Sequence, residues 1–295
     1  MLCTIGCDPE GFLVNPSGES VSAINLIGGT KDFPLPVPGG ALQEDNVLIE
    51  FNTDPVLLFN ENSKPMPNSA FLEVVQKVKA EAQKIASIHN LSVVYTTTRE
   101  YPLKELQHPR ALASGCDPDY NVYSRSRNEY PPIHSSIRGA GGHIHIGHEL
   151  IHQTPSNMEA LLYLMDSFVG VPMKALEGET STRDSTYGKW GNYRPKPYGI
   201  EYRTLSAFWV QHPALIKAVF LLTQHAVRLW QQSYAERSSV GAIRDLRSFA
   251  ENNIKRCSFA LTKQNPVQEL AKNLPEIYDI LRAVKEEMKD YVYKK

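Results

Sequence analysis

Two histidines separated by one residue stand out in the run Gly-Ala-Gly-Gly-His-Ile-His-Ile-Gly at positions 139–147. Alternate side chains of a β-strand point to opposite faces, so His143 and His145 would share one face while Ile144 and Ile146 enter a core. Imidazole is the commonest protein ligand for metal ions, and glycines in a strand let a ligand or another backbone approach closely. A single histidine is more often structural, but this pair indicates contact with a metal ion or a nucleotide.

Three further stretches carry polar or charged side chains two residues apart, the spacing that keeps them on one face of a strand. These pairs are Asp8 and Glu10, Glu50 and Asn52, and Glu201 and Arg203. A carboxylate on an apolar strand is costly unless it is solvated, paired or bound to a metal. Simpler interpretations are a polar turn for the first pair, a solvated outer face for the second and a mutual ion pair for the third. Together with an imidazole, the carboxylates suit Mg²⁺ or Mn²⁺ held beside substrate phosphates.

Basic and aromatic residues concentrate in the segment 179–199, which includes Arg183, Tyr187 and Arg194 among several glycines. Arginine can bind a phosphate or a carboxylate through two parallel hydrogen bonds. The segment could instead be a solvated connector. A second polar stretch, 103–132, has the length of a functional loop, and we interpret its part Asp117–Pro132 as a candidate lid.

The elements that must position these residues follow from hydrophobic periodicity. The N-terminus reads as a β-hairpin that turns at Asn15-Pro-Ser-Gly, and 28–40, rich in proline and glycine, reads as a loop. Further strands are predicted over 46–52, 91–97, within 139–147 and over 200–209, and helices over 69–89, 154–176, 213–235, 240–253 and 267–293. Thr154-Pro155 is typical of a helix start. The pattern favours an α+β fold in which helices cover one side of a sheet and form the C-terminal third.

Composition excludes several classes of protein. The chain has 295 residues, 42% of them hydrophobic, and a formal net charge of −1. These values fit a globular protein and argue against general nucleic-acid binding, which needs a basic surface. No apolar run approaches the ~20 residues that span a bilayer, and the N-terminus lacks the cationic start of a signal peptide. Four scattered cysteines, at positions 3, 7, 116 and 257, fit a reduced cytoplasmic protein rather than a zinc ribbon.

The order of these motifs resembles the phage-type carboxylate–amine ligase (amidoligase) family, which shares the fold of glutamine synthetase and glutamate–cysteine ligase. The matching stretches are 6–10, 45–55, 138–147, Arg183, 187–188, 193–194 and 199–206. The resemblance covers about the first two hundred residues, and nothing beyond Trp209 matches. It implies a curved, mostly antiparallel sheet with helices on its outer face, like the catalytic domain of glutamine synthetase. The chain would be one domain over 1–295, with the catalytic sheet in 1–209 and a helical scaffold in 210–295.

The resemblance also implies roles for individual residues. Metal ligands would be Asp8, Glu10, Glu50, His143 and Glu201. Nucleotide contacts would come from His145, Arg203, Tyr187 and Asn52, with Arg203 at the γ-phosphate. Phosphates or the substrate carboxylate would be held by Arg138, Arg183 and Arg194. The larger enzymes have two glutamates in the first motif, where this chain has Asp8 and Glu10.

The implied activity is ATP- and Mg²⁺- or Mn²⁺-dependent joining of a carboxylate to an amine through an acyl phosphate, in the cytoplasm of a bacterium or a phage-infected cell. Both substrates would be small molecules or peptides, and the sequence identifies neither of them, nor the oligomeric state. Two alternatives remain open. His143, His145 and Glu149 also fit a cupin-like iron or manganese site, although the glycine expected later stands as Ser156. A guanidino phosphotransferase of the same fold would form a phosphorylated product and no amide.

Overall fold

The computed structural model of the protein describes residues 2–112, 119–129, 135–233, 240–272 and 274–289. Its strands are β1 (Cys3–Val14), β2 (Ser20–Val21), β3 (Leu35–Val37), β4 (Gly40–Asp45), β5 (Leu48–Thr53), β6 (Val56–Phe59), β7 (Ser92–Val94), β8 (Thr98–Glu100), β9 (Tyr120–Asn121), β10 (Ser126–Arg127), β11 (Ile137–Gly139), β12 (Gly142–Gly147), β13 (Asn192–Lys196) and β14 (Gly199–Tyr202). Its α-helices are α1 (Ser69–Ile88), α2 (Pro109–Leu112), α3 (Pro155–Met165), α4 (Val171–Glu177), α5 (Pro213–Gln232), α6 (Val240–Ala260), α7 (Pro266–Ala271) and α8 (Tyr278–Glu287).

One large sheet dominates the fold, with the strand order β10-β9-β13-β14-β12-β1-β5-β4-β3 and with β2, β6 and β7 added along β1. Neighbouring strands in the described residues run antiparallel. β8 and β11 form a separate two-stranded sheet. The long strand β1 lies between β12 and β5 and therefore joins the two halves of the sheet.

The helices cover one face of this sheet. Tyr202 on β14 points toward them, because its hydroxyl donates 2.6 Å to Asp166, which follows α3 directly. Glu201, its neighbour on β14, points the opposite way by strand alternation, and Arg203, which follows the strand directly, pairs with it there. Ile144 and Ile146 on β12 are fully buried in the hydrophobic cluster that continues into the helices. The sheet thus has an apolar face under the helices and a polar face that carries the candidate site.

Several predicted elements are confirmed. β1 and β2 form the predicted hairpin around residues 15–18, and β1 continues as a strand through Asp8 and Glu10 instead of turning there. α1 matches its predicted range within one residue. The helix predicted from Thr154 starts as expected, since the Thr154 side chain accepts a hydrogen bond from the backbone N–H of Asn157. The α+β class, the mostly antiparallel sheet and the helical C-terminal third are therefore as predicted.

Other predicted elements differ from the structure in extent or continuity, each for a local reason. The predicted loop 28–40 contains β3. Its proline-rich sequence indicated a loop, but prolines are tolerated in this strand because it lies at the edge of the sheet. The predicted strand 200–209 ends at Tyr202, and the chain forms a 3₁₀ turn over 207–211. A π-helical turn over 166–170 interrupts the helix predicted to reach Leu176. Pro275 interrupts the last predicted helix, which becomes α7, a 3₁₀ turn and α8.

Two expectations from composition can be compared with the described residues. Within them, no helix is both long and apolar enough to cross a membrane. Cys3, Cys7 and Cys257 are buried free thiols, as predicted, while Cys116 lies outside the described residues.

Gly142, at the start of β12, provides a test of how closely the sheet packs against the 3₁₀ turn. A Cβ atom at this position would lie 2.3 Å from the Ser206 carbonyl oxygen and 2.4 Å from Nε1 of Trp209. We expect Gly142→Ala to lower the free energy of unfolding by roughly 1–3 kcal/mol, because overpacking forces neighbouring groups apart. Gly6→Ala is the control, since its Cβ would meet nothing closer than 3.7 Å. Equal denaturation midpoints for the two variants in urea would contradict this account.

Candidate active site

Strand register brings the predicted site residues together on the polar face of the sheet. Asp8 on β1 lies directly across from His143 on β12, and His145 lies across from Glu201 on β14. On the other side of β1, Glu10 lies across from Glu50 on β5. Directly opposite residues in an antiparallel pair have their Cβ atoms about 4.5–5.5 Å apart. Two adjoining groups result, one around Asp8 and Glu201 and one around Glu10 and Glu50.

Asp8 contacts both histidines. Its Oδ1 lies 3.3 Å from Nδ1 of His143, and its Oδ2 lies 3.0 Å from Nε2 of His145. Burial raises the pKa of Asp8, but the two histidines outweigh it and hold that pKa well below its usual range. Burial and the nearby Arg203 lower the pKa of His143 to about 4, whereas Asp8 raises the pKa of His145 against the effect of burial. Of the two imidazoles, His145 is therefore the one whose protonated form is favoured beside Asp8.

Glu201 is completely buried and is surrounded by positive charge. Its Oε2 lies 2.9 Å from Arg194 and 3.0 Å from Lys196, and its Oε1 pairs with the guanidinium of Arg203. Nδ1 of His143 is 3.4 Å from the same Oε1. Burial and Asp8 raise the pKa of Glu201, but Arg203, His143 and Arg194 lower it to about 2. This carboxylate is therefore ionised in the interior of the protein.

Glu10 and Glu50 have the opposite electrostatic environment. Burial and the nearby carboxylate of Asp45 raise the pKa of Glu10 to about 7, and the same two causes raise the pKa of Glu50 well above its usual range. Glu10 accepts a 2.5 Å hydrogen bond from the backbone N–H of Gly141, and Glu50 accepts a 2.9 Å bond from the amide of Gln43. Carboxylates that face each other, with pKa values raised by burial and by a neighbouring acid, are the expected surroundings of a metal ion.

The donor atoms of the first group fit a divalent cation. Asp8, His145 and Glu201 each offer one ligand atom, and these atoms lie within 4.8 Å of one another. Oδ1 of Asp8 and Nε2 of His145 are buried and complete no hydrogen bond in the described structure, although both lie within ion-pair distance of a partner. Carboxylate oxygens with one imidazole suit Mg²⁺ or Mn²⁺. The prediction placed His143 among the ligands and His145 near the nucleotide, and the geometry makes His145 a ligand candidate as well.

Arg183 and Arg138 contact backbone instead of carboxylates. The guanidinium of Arg183 donates to the carbonyl oxygens of Thr204 at 2.9 Å and Arg203 at 3.0 Å, so it braces the chain that follows β14. Arg138 on β11 donates to the carbonyl of Ala111 at 3.3 Å, and its buried Nε completes no hydrogen bond in the described structure. Both side chains are almost fully buried. Their predicted contacts with phosphate or substrate stay predictions.

The remaining predicted residues, Asn52, Tyr187 and Glu149, are outside the two carboxylate groups. Asn52 donates 3.2 Å to the side chain of Gln43, which also donates to Glu50, so it supports the second carboxylate group. Tyr187 lies in the loop between α4 and β13, and its carbonyl accepts a 3.2 Å bond from Asn192. Glu149, proposed for the cupin-like alternative, is exposed in the turn after β12 and is absent from the ligand group found in the described residues.

Part of the candidate lid is tied to the site. Residues 117–118 and 130–132 of this stretch lie outside the described residues, but 119–129 are described. Asp119 is buried and accepts a 3.1 Å hydrogen bond from Nε of Arg203. The hydroxyl of Tyr123 donates 2.8 Å to Asp166, behind β14. This segment therefore contributes a residue to the polar site as well as an anchor beneath it.

Sequence reasoning missed four residues that touch the site: Gln43, Asp119, Lys196 and Tyr198. Lys196 and Tyr198 were recognised only as part of a basic, aromatic segment. Their spacing could have indicated a role in the site. Arg194, Lys196 and Tyr198 lie two residues apart, the spacing that places side chains on one face of a strand, here the face of Glu201. Asp119 carries no such signal, since only the folded chain brings it next to Arg203.

Comparison with solved structures gives distant similarities. Two structures of GmaS, one a complex with ADP and one without ligand, are 11% and 13% identical to this chain, cover 99% and 100% of it and 71% of their own length, and each has a TM-score of 0.41. A cryo-EM structure of Plasmodium falciparum glutamine synthetase is 11% identical over 77% of this chain and 52% of its own, with a TM-score of 0.37. No curated protein sequence matches the chain.

A family comparison is more informative. Residues 134–288 match the sequence profile of the phage phiEco32-like COOH.NH2 ligase-type 2 family. The match includes β12, β14 and the arginine-containing loop, and it extends through the C-terminal helices for which no resemblance was recognised. Asp8, Glu10 and Glu50 precede it and join the site through strand pairing. Because more than half of its residues match, the chain belongs to the phage phiEco32-like COOH.NH2 ligase-type 2 family.

Proposed function

We propose that this carboxylate–amine ligase uses ATP and divalent Mg²⁺ or Mn²⁺ to form an amide bond through an acyl phosphate. The observation that carries the proposal is the buried group of Asp8, His145 and Glu201, surrounded by the cationic side chains of Arg194 and Arg203. Carboxylates and imidazole suit a metal ion, and guanidinium groups suit phosphate oxygens. The same polar face would therefore hold a metal ion and a triphosphate side by side.

The reaction would proceed in two steps. An oxygen of the substrate carboxylate attacks the γ-phosphorus of ATP, the bond to the bridging β–γ oxygen breaks, and ADP and an acyl phosphate are formed. The amine nitrogen then attacks the acyl carbon and loses a proton, the bond to phosphate breaks, and an amide and inorganic phosphate result. Acyl phosphates hydrolyse in water, so the site must exclude solvent between the two steps.

Each group of residues has a defined part in this scheme. Asp8, Glu201 and one or both histidines would hold one metal ion, and Glu10 and Glu50 would hold a second. Such ions neutralise the charge of the phosphates and polarise them. Arg203 and Arg194 would orient the γ-phosphoryl group, since positioning and charge neutralisation provide most of the catalysis of phosphoryl transfer. Arg183 would hold the backbone of Arg203 in place, and Arg138 would bind substrate carboxylate or phosphate.

The helical region 210–295 would act as a scaffold for this site. Phe71 of α1 packs against Trp209 and against Phe220 of α5, with ring centroids 6.2 Å and 5.8 Å apart. Trp230 of α5 donates a 2.8 Å hydrogen bond to the carbonyl of Asn157 on α3. The whole chain would thus work as one catalytic unit in the cytoplasm, with small-molecule or peptide substrates.

Replacement of the central carboxylate tests the proposal. Glu201→Gln keeps the shape of the side chain but removes its charge, and we expect ADP release to fall by about 100-fold or more because the phosphate-binding cations lose their orientation. ADP release is measured with a coupled assay in the presence of Mg²⁺, and thermal unfolding verifies that the variant is folded. Glu149→Gln is the matched control and should keep full activity. A cupin-like site would show the reverse pattern, with Glu149 essential and no ADP formed.

The product identifies the reaction class. We expect a screen of carboxylate and amine pairs with ATP and Mg²⁺ to give a product whose mass equals acid plus amine minus one water, detected by mass spectrometry together with ADP. A product that instead carries an added phosphoryl group would support the guanidino phosphotransferase alternative. A reaction without the amine is the control and should give no amide. Hydroxylamine added in place of the amine should trap the acyl phosphate as a hydroxamate.

Glu50 allows the second cation site to be tested through stability. In the metal-free protein at pH 8, Glu50→Gln should raise the melting temperature, because it removes a buried carboxylate that faces Glu10. Mn²⁺ should stabilise the wild type and stabilise this variant less. Glu177→Gln is the control: Glu177 is also buried but pairs with Lys174 at 2.8 Å, so its loss should destabilise the protein and leave the Mn²⁺ effect unchanged. A lower melting temperature for Glu50→Gln would refute the assignment.

A further inference from the structure

Tyr198 contacts the candidate metal site through His145 and is not one of its ligand candidates. It occupies the two-residue turn between β13 and β14, and its side chain is 49% exposed. Its ring stacks on the imidazole of His145, with centroids 6.0 Å apart and an interplanar angle of 24°. Its hydroxyl forms a short hydrogen bond with Nδ1 of His145. A partly exposed aromatic ring thus contacts Nδ1 of His145, whose other ring nitrogen, Nε2, faces Asp8.

The turn holds Tyr198 rigidly. The carbonyl of Tyr198 accepts a 3.0 Å hydrogen bond from the backbone N–H of His148, which ties the turn to β12. The next residue, Gly199, has φ +155°, and a Cβ there would lie 2.0 Å from the carbonyl oxygen of Ile146, so the two backbones pack too closely for any other residue. The backbone of Tyr198 is therefore held in place, and its side chain is directed at His145 although about half of the residue's surface is exposed.

The hydrogen bond determines what the other ring nitrogen of His145 can do. A ligating histidine usually donates its second N–H to an acceptor, which fixes the tautomer and the orientation of the ring. If the Nδ1–H of His145 donates to the Tyr198 oxygen, Nε2 is directed toward Oδ2 of Asp8, 3.0 Å away, on the side where a cation would be bound. The phenol suits this role, because its oxygen accepts a hydrogen bond without adding a negative charge beside Asp8 and Glu201.

We propose that Tyr198 is a positioning residue for cation binding, which orients His145 so that Nε2 completes a site with Asp8 and Glu201. This inference rests on the proposed function, in which that group holds a metal ion. The tyrosine would act through His145 and would not touch the reacting atoms. Loss of its hydroxyl should therefore weaken binding of the metal more than it slows the reaction at saturating metal.

Mn²⁺ binding to the nucleotide-free 295-residue chain, followed by electron paramagnetic resonance, measures this effect directly. We expect Tyr198→Phe to weaken Mn²⁺ binding by about 10-fold or more, the usual cost of losing a hydrogen-bond partner of a metal ligand. Tyr278→Phe is the matched control, since Tyr278 is similarly exposed, at 42%, but lies on α8, and its affinity should equal that of the wild type. In turnover assays, Tyr198→Phe should raise the Mg²⁺ concentration for half-maximal rate and change the saturated rate much less.

A double-mutant cycle separates positioning through His145 from a direct effect. In a His145→Ala background, Tyr198→Phe should cause no further loss of Mn²⁺ affinity. Equal Mn²⁺ affinity of Tyr198→Phe and wild type, or equal losses in both backgrounds, would overturn this inference and leave the proposed function intact. Failure of the wild type to bind Mn²⁺ at all would instead overturn the metal site itself, and this inference with it.

Discussion

The lateral pairing of β1 with β12 and β5 is the constraint on which the rest of the site depends. This register places Asp8 opposite His143 and Glu10 opposite Glu50. Because side chains alternate along a strand, a shift of one residue would move every charged group on β1 into the apolar core beneath the helices. Ile5 and Cys7, which lie on the opposite face of β1 from Asp8, are buried for the same reason. The hydrophobic face of the sheet therefore determines the composition of its polar face.

The two groups on that face are balanced differently. Buried charges are tolerated only when attraction to partners offsets the loss of hydration. Asp8 lies beside His145, and the negative charge of Glu201 is more than balanced by its three cationic neighbours. Glu10 and Glu50 are held mainly by a backbone N–H and an amide, and their pKa values are raised. Unfavourable arrangements of this kind in a stable fold are typical of functional sites, where stability is lost in exchange for binding.

Prediction from sequence succeeded where the information was local. Alternation on 142–147 and 46–52 was enough to assign faces, and these faces meet in the structure because both strands pair with β1. Contacts between residues far apart in the sequence could not be predicted in this way. Asp119 reaches Arg203 from 84 positions away, and no periodicity announces such a contact. Arg138 and Arg183 carry a charge that suggested an anion, yet in the described structure their guanidinium groups donate to backbone carbonyls. Sequence reveals a residue's chemical capacity, whereas its partners depend on the fold.

The contacts of Glu201 suggest why a metal ion and a nucleotide would bind together. In the described structure its single carboxylate pairs with three cations, Arg194, Lys196 and Arg203. A divalent cation that bound Glu201 would take over part of that negative charge and leave the guanidinium groups with an unbalanced positive potential beside the site. The negative charge of a triphosphate would restore the balance. Asp119 contacts Nε of Arg203 and would keep its guanidinium oriented for that contact. Each ligand would then strengthen the binding of the other by the same factor, as linkage requires. One buried carboxylate, shared between cations of the protein and a cation from solution, would be enough to couple the two.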